Sequence, residues 1–259
     1  MSEDIFSRNK LFWGEDNQYL LSLKHVAIFG LGGVGGFFGG GIVGGGCGAE
    51  AIVRAGIGEV TIIDFDNVSL TNINRQLIAL HSTVGQNKAK LFEDRLKDIN
   101  PNLKIHVIDD FYSGNFDFSH IDYVADAIDT MRAKIELLET SVKKNIPVIS
   151  SMGAGNRIDP TKLYISDISE IENKNAPFVS NIIYQLRKRG IEKGITVVAS
   201  REKPFVQEKL SATEKIMTKN GENIEFTKIT PSSTPFVASC AGIFMASYIV
   251  QSFLKEYKS

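Results

Sequence analysis

The chain has 259 residues, enough for one large domain or for a domain with a substantial appendage. Its hydrophobic fraction of 43% and charged fraction of 23% are those of an ordinary soluble globular protein. The 29 basic and 30 acidic residues nearly cancel, which argues against a wholly basic nucleic-acid binder.

The first half of the chain alternates short apolar runs with helical patterns. Apolar runs at 25–29 and 60–63 predict buried parallel strands, and residues 49–55 predict a helix between them. The alternation continues with helices predicted at 87–99 and 130–144, and with strands predicted at 105–108, 123–128 and 147–150. We therefore predict an α/β fold of the Rossmann-like, doubly wound type, with a mostly parallel sheet.

The pattern changes beyond the middle of the chain. Residues 162–167 and 196–199 predict strands, and residues 178–189 predict a helix. We therefore expect a core over residues 1–155, followed by a C-terminal extension over residues 156–259. The extension is predicted to be an added α+β subdomain that packs on the same domain.

Two further segments complete the C-terminal half. Residues 201–235 are rich in Lys, Glu, Thr, Ser and Pro and show little periodicity, which predicts a mobile loop. Residues 236–257 predict an apolar helix whose small residues allow close packing against another helix. The sequence leaves open whether that packing lies within the domain or across a dimer.

An uncharged, glycine-rich segment follows the first predicted strand. Residues 26–49 are long enough to span a bilayer, but 12 of these 24 residues are glycine. Each glycine costs a helix about 1 kcal/mol relative to alanine, so we expect a loop and no membrane contact. The first glycines have the GxGxxG spacing that lets backbone N–H groups approach a phosphate. They are Gly30, Gly32, Gly33 and Gly35.

Asp64 ends the second predicted strand, where a carboxylate can bind a ribose hydroxyl; capping a turn is its alternative role. However, Asp64 lies 29 residues after Gly35, where the nucleotide-binding pattern expects about 20. Residues 30–38 and 39–47 form an imperfect nine-residue repeat, and Gly44 of the second copy has the expected spacing of 20 residues to Asp64. We favour the first copy as the phosphate loop because its strand directly precedes it.

The polar segment after the second strand separates ATP chemistry from hydride transfer. It reads DFDNVSLTNINRQ and places Asp66, Asn72 and Arg75 beyond the C-terminal end of a strand, where α/β folds bind ligands. Lys88 follows on the next helix. A triphosphate that loses pyrophosphate needs cations on its β- and γ-phosphates, and Arg75 with Lys88 fits that catalytic need. The alternatives are a surface ion pair for Arg75 and a helix-face charge for Lys88.

Asp129 lies between the strand predicted at 123–128 and the next helix. A carboxylate at this position can cap the helix and still bind Mg²⁺ through its free oxygen. We therefore predict Asp129 as a catalytic metal ligand, with the less exposed Asp126 as the alternative.

Four motifs in this order carry a family resemblance: GLGGVG, VTIIDFDNVSLTNINRQ, VGQNKA and ADAIDT. Over residues 5–155 they resemble the ThiF/MoeB group of ubiquitin-activating-enzyme-like adenylating proteins. The resemblance implies ATP and Mg²⁺ as cofactors, with Asp64 on the ribose and Asp129 at the metal. The implied triphosphate-binding set is Asn72, Arg75 and Lys88.

The same resemblance implies that Arg8 reaches the ATP of a partner subunit, and hence a homodimer. The extra residues between Gly35 and Ala49 depart from the group's pattern. We therefore leave open whether this insert changes the geometry of the phosphate loop, because a phosphate clamp depends on its fixed shape.

The number and positions of the cysteines limit which class of substrate the chain is expected to use within this group. Members that form a thioester need a cysteine after the aspartate motif, but none lies between Asp129 and Ser239. The paired CxxC motifs of the zinc-bearing sulfur-carrier activators are absent, and Cys240, in an apolar helix, is expected to be a small buried side chain. DAIDTMRAK, SSMGAGNRIDPTKLYISDI and QLRKRGI are instead similar to the tRNA threonylcarbamoyladenosine dehydratase branch.

In that branch, the resemblance implies, ATP activates the threonyl carboxylate of a modified adenosine in tRNA, and ring closure displaces AMP. The basic residues at the end of the helix predicted at 178–189 can then contact tRNA phosphates, or they form a solvated helix end. These residues are Arg187, Lys188, Arg189 and Lys193. With two distant cysteines and no apolar leader, we expect a cytoplasmic protein.

Three other functions stay open. The chain could adenylate the C-terminus of a ubiquitin-like sulfur carrier, with that or another small protein as its partner. It could be an NAD-dependent oxidoreductase, since the glycine loop alone does not distinguish the two nucleotides. It could also be a non-catalytic dimeric scaffold or tRNA-binding module, if the glycine insert disables the loop.

Overall fold

The structure is a computed structural model that describes residues 4–32, 45–174, 176–205, 211–217, 223–229 and 232–254. For residue 45 and for the ranges 211–217 and 223–229, only the backbone is described.

A seven-stranded sheet forms the centre of the fold. Its strands are β1 His25–Phe29, β2 Glu59–Ile63, β3 Lys104–Ile108, β4 Tyr123–Asp126, β5 Val148–Ser151, β6 Leu163–Asp167 and β7 Thr196–Ser200. The spatial order is β3-β2-β1-β4-β5-β7-β6, and every pair is parallel except β6 with β7. The predicted Rossmann-like α/β fold is therefore confirmed. The order reverses between β1 and β4, and open α/β sheets bind their ligands at such a switch point.

Helices cover both faces of this sheet. They are α1 Ser7–Ser22, α2 Gly45–Ala55, α3 Lys88–Ile99, α4 Met131–Lys143, α5 Pro177–Arg187 and α6 Pro235–Phe253. One buried cluster joins Val26 and Ile28 of β1 to α2, α3 and α6, while Ala27 and Phe29 join α4 and α5 in a second cluster. Because successive side chains of a strand point to opposite faces, β1 is buried along its whole length.

The C-terminal extension adds strands to this same sheet. β7 pairs in parallel with β5, so segments from both sides of residue 155 share one sheet. α6 packs against α2 of the same chain, and a methyl group added at Gly48 would lie 2.9 Å from the carbonyl oxygen of Gly242. The helix packing that the sequence left open is therefore formed within the domain.

Among the described residues, α6 is the helix that is long and apolar enough to cross a membrane, with a mean hydropathy of 1.6. Its Val237, Ala238 and Ile249 are fully buried against the sheet and its neighbouring helices. Cys240 is half-buried and packs against the same core. The buried face of α6 therefore forms part of the core of the domain.

Two elements differ from the sequence predictions. Within the predicted loop 201–235, β8 Ser211–Met217 pairs antiparallel with β9 Asn223–Ile229, so the loop prediction is corrected for these two ranges. Backbone pairing and β-branched or aromatic residues favour such a hairpin, and neither is visible in the polar composition of the whole segment. α1 has no predicted counterpart because Gly14, at a φ of 84°, interrupts its helical pattern.

Candidate functional site

A cleft opens at the C-terminal ends of β1, β2 and β4, at the switch point of the sheet. Its walls carry three carboxylates predicted from the sequence, Asp64, Asp66 and Asp129, together with the first glycine of the loop, Gly30. The other lining residues are Phe29, Ile63, Phe65, Asp110, Phe111, Tyr112, Ala127, Ile128, Thr130 and Ala133.

The chain leaves β1 through a turn that only glycine fits. Gly30 has a φ of 85°, and a methyl group there would lie 2.8 Å from the carbonyl oxygen of Ala127. Gly32 also has a positive φ, of 120°. Gly33, Gly35 and the second glycine copy through Gly44 lie outside the described residues. The choice between the two copies as the phosphate loop therefore stays a prediction.

The carboxylate of Asp64 connects β2 to this glycine turn. Oδ2 accepts a hydrogen bond from the Leu31 backbone N–H at 2.7 Å, and Oδ1 accepts one from the Asp66 N–H at 2.9 Å. Burial raises the pKa of Asp64 to about 6, against the opposing charge of Lys88. Each oxygen retains a second lone pair, so the predicted bond to a ribose hydroxyl and the alternative turn-capping role are compatible.

Lys88 begins α3 and is 1% exposed. Its Nζ lies 3.0 Å from Oδ2 of Asp66, and its backbone N–H donates to the Asp66 carbonyl at 3.0 Å. Lys88 is therefore a buried, paired lysine, and the alternative role of a helix-face charge is not observed. This lysine is held at the rim of the cleft by Asp66, which itself lines it.

Asn72 is the last residue of the short 3-10 helix Leu70–Asn72, and Arg75 lies on the turn that follows it. Oδ1 of Asn72 accepts from the Ser69 N–H at 3.1 Å, while its Nδ2 is buried without a hydrogen-bond partner. Nη1 of Arg75 donates to the Thr71 carbonyl at 2.7 Å, and its buried Nε has no partner. Burial lowers the pKa of Arg75. Among the described residues no carboxylate pairs with Arg75, so its alternative role in a surface ion pair is not observed.

Gln76 is a polar residue of this site that sequence reasoning missed. It is buried, and neither its Oε1 nor its Nε2 has a hydrogen-bond partner. A methyl group added at Gly32 would lie 3.2 Å from Cδ of Gln76, which places this amide against the glycine turn. Its position at the end of the NINRQ motif, directly after Arg75, was the available signal.

The buried donors without partners indicate which kind of ligand would fit this segment. A buried polar atom without a partner costs about 1–3 kcal/mol, so such atoms are rare unless a ligand or water satisfies them. Nδ2 of Asn72, Nε of Arg75 and Nε2 of Gln76 all belong to one five-residue segment of the chain, 72–76. An anion rich in acceptor oxygens, such as a triphosphate, matches this set of donors.

Asp129 lines the cleft directly after β4. Burial raises the pKa of Asp129, and the negative charge of Asp66 raises it further, so a cation beside this carboxylate would be stabilised. Carboxylate oxygens are the ligands that Mg²⁺ prefers, which fits the predicted metal role. The residue that caps α4 is Thr130, so the helix-capping role considered for Asp129 is not observed.

Asp126, the alternative metal ligand, is fully buried and already satisfied. Its Oδ2 accepts from Nζ of Lys134 and from Oγ of Ser150, both at 2.6 Å, and its Oδ1 accepts from the Ile128 N–H at 3.0 Å. With a cation and two further donors in place, this carboxylate serves the fold and is excluded as the metal ligand.

The opposite wall of the cleft is aromatic and apolar. Phe65 and Phe111 contact each other edge to face, with ring centroids 5.5 Å apart, and both remain partly exposed. Oη of Tyr112 is buried without a hydrogen-bond partner. Apolar walls with a few polar groups are typical of nucleotide and other small-molecule pockets. Phe111 and Tyr112 were not predicted as cleft residues. Their position shortly after a predicted strand was the only feature of the sequence that could have indicated this role.

Two predicted groups lie away from this cleft. Arg8 is exposed on α1 and does not line the cleft of its own chain. Arg187, Lys188 and Arg189 are exposed at the end of α5, where Nε of Arg189 lies 2.9 Å from Oε2 of Glu139. This geometry is that of a solvated helix end and leaves the predicted tRNA contact a prediction.

The chain matches the ThiF family over residues 6–256. It is 41% identical over 256 residues to the tRNA threonylcarbamoyladenosine dehydratase of Bacillus subtilis (strain 168), a match that covers 97% of this chain and 95% of the relative. It is 33% identical over 149 residues to the molybdopterin-synthase adenylyltransferase of Escherichia coli (strain K12), covering 56% of this chain and 54% of that one.

Solved structures give the same result. The tRNA N6-threonylcarbamoyladenosine dehydratase TcdA of E. coli, in complex with ATP, superposes with a TM-score of 0.77 at 27% identity and covers 96% of this chain and 93% of that one. A complex of the same enzyme with AMP gives a TM-score of 0.78. The resemblance predicted from four ordered motifs is confirmed, and the chain belongs to the ThiF family.

Proposed function

We propose that the chain is an ATP-dependent tRNA threonylcarbamoyladenosine dehydratase. It adenylates the threonyl carboxylate of the modified adenosine and closes that group into a ring with release of AMP. The observation that carries the nucleotide chemistry is the set of buried donors without partners on Asn72, Arg75 and Gln76, of which Gln76 lies against the glycine turn. The names of the relatives with the highest coverage support the choice of carboxylate.

The reaction has two steps. The threonyl carboxylate oxygen attacks the α-phosphorus of ATP and pyrophosphate leaves, while Asn72, Arg75 and Lys88 stabilise the charge on the β- and γ-phosphates. Asp64 orients the ribose. Asp129 would hold Mg²⁺, which shields phosphate charge. An atom of the substrate then attacks the activated carbonyl and AMP leaves, so this step needs no cysteine of the protein.

The direct test is turnover of ATP on total tRNA that carries threonylcarbamoyladenosine, followed by mass analysis of the nucleosides. We expect AMP formation together with loss of one water from the modified nucleoside. A matched tRNA preparation from cells that cannot install the modification should give neither product. AMP formation that is equal in both preparations would contradict the proposed substrate.

A second candidate function is adenylation of a ubiquitin-like sulfur carrier, favoured by the similarity to molybdopterin-synthase adenylyltransferase. The absence of CxxC pairs from the sequence weighs against it. The measurement that distinguishes the two is exchange of pyrophosphate into ATP. Exchange stimulated by a small protein ending in Gly-Gly, and not by tRNA, would replace the proposed substrate with this one.

We also propose a cytoplasmic homodimer in which Arg8 of one subunit reaches the ATP of the other. Its support is an apolar groove between α1, α2 and α6, with Phe12 and Ile243 among its exposed residues. Mixing an Arg8→Ala subunit with a Lys88→Gln subunit tests this arrangement. If Arg8 acts across the interface, a mixed dimer keeps one site with both side chains and regains activity that neither variant has alone.

A further inference from the structure

A cluster of histidine and glutamate side chains lies toward the N-terminal ends of the strands, whereas the nucleotide cleft lies at their C-terminal ends. His25 and Glu59 are the first residues of β1 and β2 and are register partners, and His106 of β3 pairs with Thr61. Because residues two apart in a strand share a face, Glu59 and Thr61 point to the same side of the sheet. The three strands thus bring two imidazoles and one carboxylate together.

The ligand atoms are close enough to share one ion. Oε1 of Glu59 lies 2.8 Å from Nε2 of His106 and 3.6 Å from Nδ1 of His25, and the three ligand atoms all lie within 4.8 Å of one another. Tetrahedral zinc with bonds of about 2.0–2.1 Å places neighbouring ligand atoms about 3.4 Å apart, which lies within this range. Small rotations of the exposed His106 and of Glu59 would complete the geometry.

An outer hydrogen bond already orients the buried ligand. Oγ1 of Thr61, itself buried, lies 2.8 Å from Nε2 of His25. When Nε2–H donates to Thr61, the lone pair of Nδ1 faces Glu59, and such a second bond is the usual means of orienting a metal-binding histidine. An open cleft lined by Asp117 and His120 adjoins the cluster and leaves a fourth position for water or another ligand.

We propose that His25, Glu59 and His106 form a binding site for a divalent transition-metal ion of the zinc class. Two imidazole nitrogens with one carboxylate suit zinc better than the oxygen-seeking Mg²⁺ or Ca²⁺. The five residue steps from His25 to Gly30, about 16 Å along β1, separate this site from the glycine turn. The ion therefore ties β1, β2 and β3 together and takes no part in the nucleotide chemistry.

The test is titration of the full chain, freed of any affinity tag and treated with EDTA, with zinc chloride against a chromogenic zinc chelator. We expect one zinc per chain. Loss of the outer hydrogen-bond partner of a metal ligand weakens metal binding by roughly 10- to 100-fold. His106→Gln and Glu59→Gln each remove a ligand itself and should weaken zinc binding at least as much. Thr61→Val, which removes that outer partner, should fall within this range. His81→Gln, at an exposed histidine elsewhere, is the matched control and should bind as wild type.

Melting curves with and without zinc give a second readout. Zinc should raise the Tm of the wild type and of His81→Gln, but not that of His106→Gln, while ATP binding stays the same in all three. Zinc binding that is unchanged in both His106→Gln and Glu59→Gln, or no binding by the wild type, would overturn the proposal. A Cys47→Ser, Cys240→Ser double variant that loses the zinc would also overturn it, by assigning the ion to thiolates.

Discussion

Two lysines of this chain are buried beside an aspartate, and their surroundings differ. Lys134 and Asp126 are both fully buried, and Ser150 and the Ile128 N–H complete the hydrogen bonds of the carboxylate. Lys88 is equally buried but pairs with Asp66 at the rim of the cleft. The segment between β2 and α3, which carries Asp66, also carries buried donors without any partner.

Lys134 and Asp126 form a structural ion pair, whereas Lys88 and Asp66 form an ion pair at a ligand-binding cleft. Around Asp126 every described donor has an acceptor, so the cluster needs nothing from outside. By contrast, the segment 72–76 keeps unpaired donors of Asn72, Arg75 and Gln76 inside the protein, which is unfavourable until an anion binds. Burial alone does not distinguish these two regions; hydrogen-bond satisfaction does.

The largest effect on folding should come from Lys134→Met. It leaves the Asp126 carboxylate buried without its cation, which costs about 3–5 kcal/mol of unfolding free energy. Urea unfolding measures the loss. The double variant Lys134→Met, Asp126→Leu removes both charges and should recover most of the stability. A single variant as stable as wild type would show that this pair is not the structural one.

Lys88→Gln should instead act on catalysis. Loss of a cation that stabilises the leaving pyrophosphate should lower kcat for AMP formation by about 10²- to 10³-fold, with the fold retained. Lys90→Gln is the matched control, because Lys90 lies on the same helix, is exposed and pairs with Glu93 at 2.6 Å. If the Lys88 and Lys90 variants had equal rates, the cleft pair would have no catalytic role.

Gln76→Met should produce opposite changes in stability and binding. An apolar side chain of similar size removes a buried amide without partners, which should stabilise the nucleotide-free protein by about 1 kcal/mol. The same change removes a donor beside Gly32 and should weaken ATP binding several-fold. Chemical unfolding and calorimetry measure the two effects. A variant that is destabilised and binds ATP normally would show that Gln76 serves only the fold.

The last of these effects concerns pH. The pKa of Asp64 is raised by burial from 3.8 to about 6. The protonated carboxyl therefore favours the folded state, and the stability it contributes is present below about 4 and is lost as pH rises through about 6. Ribose binding depends on the ionised form instead, so adenosine should bind about tenfold more weakly at pH 5 than at pH 7. Calorimetry that finds equal affinities at the two pH values would contradict the ribose role.

The hydrophobic pattern of the sequence predicted the central sheet well, because buried parallel strands consist of short apolar runs such as 25–29 and 60–63. Asp64 and Asp66 could be predicted as cleft residues because strand ends converge at one edge of such a sheet. Gln76 could not be predicted as a site residue from the sequence. Its amide is notable because it is buried without a hydrogen-bond partner, and the burial of a residue in a polar segment depends on tertiary packing. The hairpin Ser211–Met217 with Asn223–Ile229 was missed because the polar composition of the whole segment 201–235 hides its short strands.

The central claim is that the threonyl carboxylate is adenylated, and oxygen transfer tests it most directly. Modified tRNA carrying ¹⁸O in that carboxylate is turned over with ATP, and the released AMP is analysed by mass spectrometry. Attack of the carboxylate on the α-phosphorus followed by acyl–oxygen cleavage predicts AMP that contains one ¹⁸O atom. AMP without label, or ADP as the nucleotide product, would contradict adenylation of this carboxylate.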